Sequence, residues 1–171
     1  MKDELLQRKL QWLLNKLSDD TKDFLEENPE LTFYSVGLDC NSEYGTVMLC
    51  FNTEDEFQKS LAHYRHGKYA DMYQTPEDIL DLRFNTGDWE YQDVASYEVF
   101  SEQELQQMFG DDLESQIECM MDFNYQVLKA FTKSPVYQQI PKTKDFQPIC
   151  IDHEDDVLEA LERSKEELQN T

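Results

Sequence analysis

Hydrophobic positions in the first third of the chain change period twice. Leu6, Leu10, Leu13 and Leu17 recur at the spacing of one helical face, with Phe24 two turns on, which predicts a helix over residues 3–27. Ser18-Asp19-Asp20 can break or re-cap this stretch, so one long helix and two short ones both fit. Asn28-Pro29 closes it. Residues 31–38 are rich in β-branched and aromatic side chains and predict a strand. Residues 39–45 hold Asp, Asn, Ser and Gly, which tolerate the backbone angles of a reversal. The continuous apolar run 46–51 is a second strand, covered on both faces. Thr53 and Glu56 form a capping-box pair that opens a helix carrying Phe57, Leu61 and Tyr64 on one face, with Gly67 suited to its C′ position.

Further along, Thr75-Pro76-Glu77-Asp78 is a helix-start pattern. Residues 79–84 fit either a helical turn or a strand, and 85–88 a turn. Ser101 with Glu104 opens a short helix ending at Gly110. Residues 111–133 are the clearest helix of the second half, with Leu113, Ile117, Met120, Met121, Leu128 and Phe131 as its apolar stripe. Ser134-Pro135 ends it, Pro141 and Pro148 mark an irregular stretch, and 146–151 is a short strand candidate. Val157, Leu158, Leu161 and Leu168 give the last helix an apolar side. The pattern shows no repeat and no linker. It predicts one α+β domain over 1–171: an antiparallel or mixed sheet with a central hairpin at about 31–51, covered by several helices.

Charge narrows the choice of partners. There are 37 acidic and 15 basic residues, a net charge of −22. Such a surface repels phosphate backbones and anionic bilayers, so neither nucleic acid nor membrane is an expected ligand. A basic protein is the natural partner, because the field speeds that encounter, although the same charge also serves solubility alone. The N-terminus, Met1-Lys2-Asp3-Glu4, lacks the basic and apolar regions of a signal peptide, and no apolar run approaches bilayer-spanning length. Cys40, Cys50, Cys119 and Cys150 are far apart and read as reduced, mostly buried thiols. A cytoplasmic location is expected.

Chemical motifs are scarce. The chain has no glycine-rich phosphate loop, G-x-S-x-G elbow or H-E-x-x-H helix. No catalytic residue is singled out, and no cofactor is expected. His63 and His66 have i, i+3 spacing, but further ligands such as Asp71 or a distant cysteine would have to be recruited, so an ordinary polar helix end competes with a metal site. Three features can carry binding. One is the acidic face of Asp111, Asp112, Glu114, Glu118 and Asp122, which a solvated helix also explains. Another is the cluster of Asp152, Glu154, Asp155 and Asp156, which helix capping also explains. The third is Trp89 beside Arg83, Asp88 and Tyr91, either an interface anchor or a core tryptophan held by its indole N–H.

Four short segments resemble a bacterial family of uncharacterised small acidic proteins. These are the strand Phe33-Tyr34-Ser35-Val36-Gly37-Leu38, the step Asn52-Thr53-Glu54, the pattern Arg83-Phe84…Asp88-Trp89-Glu90-Tyr91, and the strand Ile149-Cys150-Ile151-Asp152 with the acidic helix after it. The family looks like the immunity proteins of polymorphic-toxin and contact-dependent inhibition systems. What the resemblance implies is a non-catalytic protein that occludes a cognate basic toxin domain, such as a nuclease. A regulatory or adaptor module for another cellular protein, and an enzyme using scattered carboxylates with a divalent cation, are the competing expectations. The oligomeric state is open.

Overall fold

The computed structural model describes residues 2–66, 68–69 and 71–169. Helix α1 (Lys2–Glu27) is continuous across Ser18-Asp19-Asp20, and the Ser18 hydroxyl donates back to the Leu14 carbonyl at 2.7 Å instead of capping a new helix. Strands β1 (Phe33–Asn41) and β2 (Thr46–Thr53) form the expected hairpin, with β1 running three residues further than its apolar pattern. Helix α2 (Glu54–Arg65) follows. Its Thr53 cap accepts the Glu56 N–H at 3.3 Å, but Glu56 pairs with Lys59 at 2.6 Å, so half of the capping box forms. The Gly67 expectation lies outside the described residues.

Residues 79–84 are helical, within α3 (Pro76–Phe84), which a complete Thr75–Asp78 capping box starts. A 3₁₀ turn (Thr86–Asp88) leads into β3 (Tyr91–Glu98), a strand the pattern did not predict. It is an edge strand, half-exposed along most of its length, and so lacks the apolar run of a covered one. Helices α4 (Glu102–Phe109), α5 (Leu113–Thr132) and α6 (Pro135–Gln139), strand β4 (Ile149–Asp152) and helix α7 (Val157–Gln169) complete the chain. The sheet order is β3-β2-β1-β4. β1 and β2 pair antiparallel, as do β2 and β3, whereas β4 lies parallel to β1. The sheet is therefore mixed and the fold is α+β. Among the described residues no helix is long and apolar enough to cross a membrane.

The two central strands are apolar on both faces, so each face needs its own roof. Val36, Leu38, Val47, Leu49 and Phe51 face α1, α4, α5 and α6 through Leu13, Leu17, Leu105, Met120 and Leu128. Cys50, Ile149 and Ile151 face α2, α3 and α7 through Phe57, Leu61, Leu82, Phe84 and Leu161. Each large apolar side chain buried this way contributes about 1.5–3 kcal/mol. A register shift between Phe33 and Ser35 breaks the alternation in β1. Phe33 and Val36 thereby share the first core, while Tyr34 enters the second.

Tyr34 is where the second roof is fastened. Its hydroxyl donates to the Arg83 carbonyl at 2.6 Å and accepts from Asn52 Nδ2 at 3.0 Å. The Trp89 indole N–H donates to the same carbonyl at 2.9 Å. The Arg83 guanidinium lies 4.0 Å from the Tyr34 ring centre and pairs with Glu54 at 2.7 Å and Asp145 at 3.1 Å. Burial pushes the Tyr34 phenol well above its ordinary pKa, so the proton in these bonds stays in place. Trp89 in turn packs on Gly37, the one β1 position with no side chain to obstruct it. A Cβ at Gly37 would stand 3.0 Å from both Thr86 Cγ2 and Trp89 Cζ3. Since Trp89 is pinned by its indole bond, Gly37→Ala is expected to cost about 1–3 kcal/mol through overpacking. A urea titration of the two proteins measures it, and equal midpoints would mean that the Trp89 side of the core yields.

Candidate partner-binding surface

One end of the sheet is built around the β1–β2 turn. Gly45 has φ 65°, and its carbonyl accepts the N–H groups of Val99 and Phe100 at 2.9 and 3.1 Å. A Cβ there would meet the Phe100 carbonyl oxygen at 2.8 Å, so only glycine fits. The Ser42 N–H donates to Asp152 Oδ2 at 2.9 Å. From the other side Gln116 Nε2 donates to the Ser42 and Glu43 carbonyls at 3.0 and 2.7 Å. The turn is thus clamped between the end of β4 and the first turns of α5.

This clamp brings together the two acidic clusters, which lie some forty positions apart in sequence. Asp111, Asp112, Glu114 and Glu118 are exposed on the α5 side. Asp122 is exposed too, but about 15 Å further along the helix axis from Asp112 at 1.5 Å per residue. On the β4 side Asp152 is half-buried against Ser42. Asp155 accepts the Asp152 N–H at 3.2 Å and sits 3.5 Å from Arg163. Asp156 caps α7, accepting the N–H groups of Leu158 and Glu159 at 3.0 Å each. Glu154 is exposed. Asp152, Asp155 and Asp156 therefore fasten the loop, and the α5 acids with Glu154 supply the accessible charge.

Two readings of the apolar pattern change here. Leu113 and Ile117, expected within the α5 core stripe, are 46% and 39% exposed, whereas Gln116 between them is buried against the β1–β2 turn. Tyr44, at the tip of the turn, is 64% exposed. An aromatic residue inside an otherwise polar turn was the available signal for it. Trp89, the third binding candidate, is 4% exposed and held by its indole N–H, so the core alternative is the one the fold realises.

The sequence profile of a family described as a domain of unknown function (DUF4303) matches residues 13–171. The chain belongs to this family. No curated protein and no solved structure matches it. Three of the four segments noted in the sequence meet within this DUF4303 domain. Tyr34, Asn52, Glu54, Arg83 and Trp89 converge on the Arg83 carbonyl and guanidinium, where they join β1 and β2 to α3. His63 and His66 are exposed near the end of α2, with His66 Nδ1 2.7 Å from the Ala62 carbonyl. Among the described residues no group of three or more His, Cys, Asp or Glu side chains is placed to hold a metal ion.

Asp112 also shows how this end depends on ionisation. It accepts the Ser115 N–H at 3.1 Å and the Ser115 hydroxyl at 2.8 Å at the start of α5, and these bonds hold its carboxyl below the ordinary range. A carboxyl with a depressed folded pKa stabilises the fold above its unfolded pKa of about 3.9, and that contribution is lost as pH falls through the folded value. Asp112→Asn keeps a capping side chain but removes the charge. The wild-type advantage over Asp112→Asn in urea midpoint is expected at pH 6 and should shrink steadily toward pH 2.5. A difference independent of pH would assign the stabilisation to something other than the carboxylate.

Proposed function

We propose that this DUF4303 domain is a non-catalytic immunity-type protein, which binds a basic toxin domain, such as a nuclease, and occludes its working surface. The observation that carries this reading is the β1–β2 end of the molecule. It combines exposed carboxylates on Asp111, Glu114 and Glu118 with exposed apolar side chains on Tyr44, Leu113 and Ile117. Apolar anchors supply desolvation energy at a protein interface, and a charged rim supplies steering and selection of the partner. A net charge of −22 extends the attraction over the whole body and favours a cationic partner over nucleic acid. An inhibitor of this kind blocks by covering, so it needs no reacting groups of its own.

The test uses the purified full chain and the basic toxin domain encoded beside it. Stoichiometric loss of toxin activity is expected. Association should slow by about tenfold or more between 50 mM and 500 mM salt, as exposed charges are screened. Reversing Glu114, Glu118 and Asp122 to Lys should slow association at low salt while leaving the urea midpoint nearly unchanged. Undiminished toxin activity in excess protein would overturn the proposal, and an unchanged association rate in the triple variant would remove this face from it.

A further inference from the structure

A groove of about 380 Å³ lies between the β1–β2 turn, helix α4 and the start of helix α5. Tyr44 and Leu113 form apolar parts of its wall, and Glu43, Glu102 and Asp111 bring carboxyl groups to it. No lysine, arginine or histidine lines it. Two carboxylates near other grooves are engaged, Glu104 with Lys9 at 2.8 Å and Glu54 with Arg83 at 2.7 Å. The three groove carboxylates have no such cation among the described residues. The base of the groove is rigid. Gln116 fixes the carbonyls of Ser42 and Glu43, the Tyr44 N–H donates to Asn41, and Gly45 is wedged against Phe100. The Tyr44 ring is therefore presented from a fixed backbone with its faces open to solvent.

We propose that this groove is the docking site for an arginine side chain of the basic partner, an assignment that rests on the inhibitory reading above. Three properties of the groove select arginine. An exposed tyrosine face stacks a planar guanidinium better than a compact ammonium. Carboxylates on more than one wall match a cation with five N–H donors in a fork. Leu113 covers the alkyl stem, which would otherwise lose its hydration without compensation. The protein side of the contact is pre-organised, so little ordering remains to be done on association.

Two arms separate this inference from the function it rests on. In the first, the ¹⁵N-labelled full chain is titrated at low salt with acetyl-Gly-Arg-Gly-amide and, in parallel, with its lysine counterpart. Saturable amide shifts concentrated at Glu43, Tyr44, Glu102, Asp111 and Leu113 are expected with the arginine peptide, weaker ones with lysine, and their loss in Tyr44→Ala. Shifts scattered over the acidic surface, equal responses to both peptides, or a Tyr44→Ala variant that responds like the wild type would overturn it. In the second arm Tyr44→Ala, with an unchanged melting curve, is measured against the toxin domain. Dissociation about tenfold or more faster is expected for loss of a central anchor. Unchanged dissociation refutes the groove while leaving inhibition intact. Failure of the wild type to bind any basic toxin removes the function, and the peptide arm still decides the groove.

Discussion

Two central strands with apolar side chains on both faces must be covered twice, and most of the architecture follows from that requirement. Leu49 and Phe51 point one way, Cys50 and Met48 the other, and neither set can be left to water in a stable domain. The long helices α1 and α5 cover one face with continuous leucine, methionine and phenylalanine stripes. The opposite face is covered by the shorter α2 and α3 together with α7. Short helices bury less area each, so this roof relies more on specific polar fastening. The Arg83 carbonyl provides it by accepting two buried donors, from Tyr34 and Trp89, at one point. Buried donors without acceptors are costly, which makes that meeting point unforgiving of displacement.

The same geometry leaves one end of the sheet open. Helix α5 begins beside the hairpin turn, with Gln116 buried against the turn carbonyls and Leu113 and Ile117 exposed, as is Tyr44 in the turn. Around them the chain places carboxylates, some used as caps and loop anchors and others free in solvent. The distinction matters because acidic residues are abundant everywhere on this surface. What sets this end apart is that free carboxylates and exposed apolar groups share one rigid, concave platform. Other acids are paired with cations, as Glu56 of α2 is with Lys59, or close a capping box, as Asp78 does.

Much of the fold was legible in the sequence because it rests on local rules. The hairpin, the helix start at Thr75-Pro76, the capping box at Ser101, and the stripe of α5 from Met120 onward all follow from periodicity or from preferences of neighbouring residues. Strand β3 was not legible, since an edge strand such as Tyr91–Glu98 is only half-covered and does not carry the apolar run that marks β2. The helical state of residues 79–84 was ambiguous for the related reason that a short apolar run suits both periods. For the candidate surface, the acids were identifiable by type and spacing, but their roles were not.

By itself, then, the sequence determined the strongly acidic character, the α+β class, the two-faced central hairpin and most helix starts, because each of these depends on composition or on neighbours a few residues apart. Only the tertiary structure decided that Trp89 belongs to the core, that Leu113 and Ile117 face solvent, and that Asp111 and Asp152 flank the same turn. Those outcomes depend on where one element ends relative to another distant in sequence. That relation is set by packing of the whole sheet between its two roofs, and no local pattern records it.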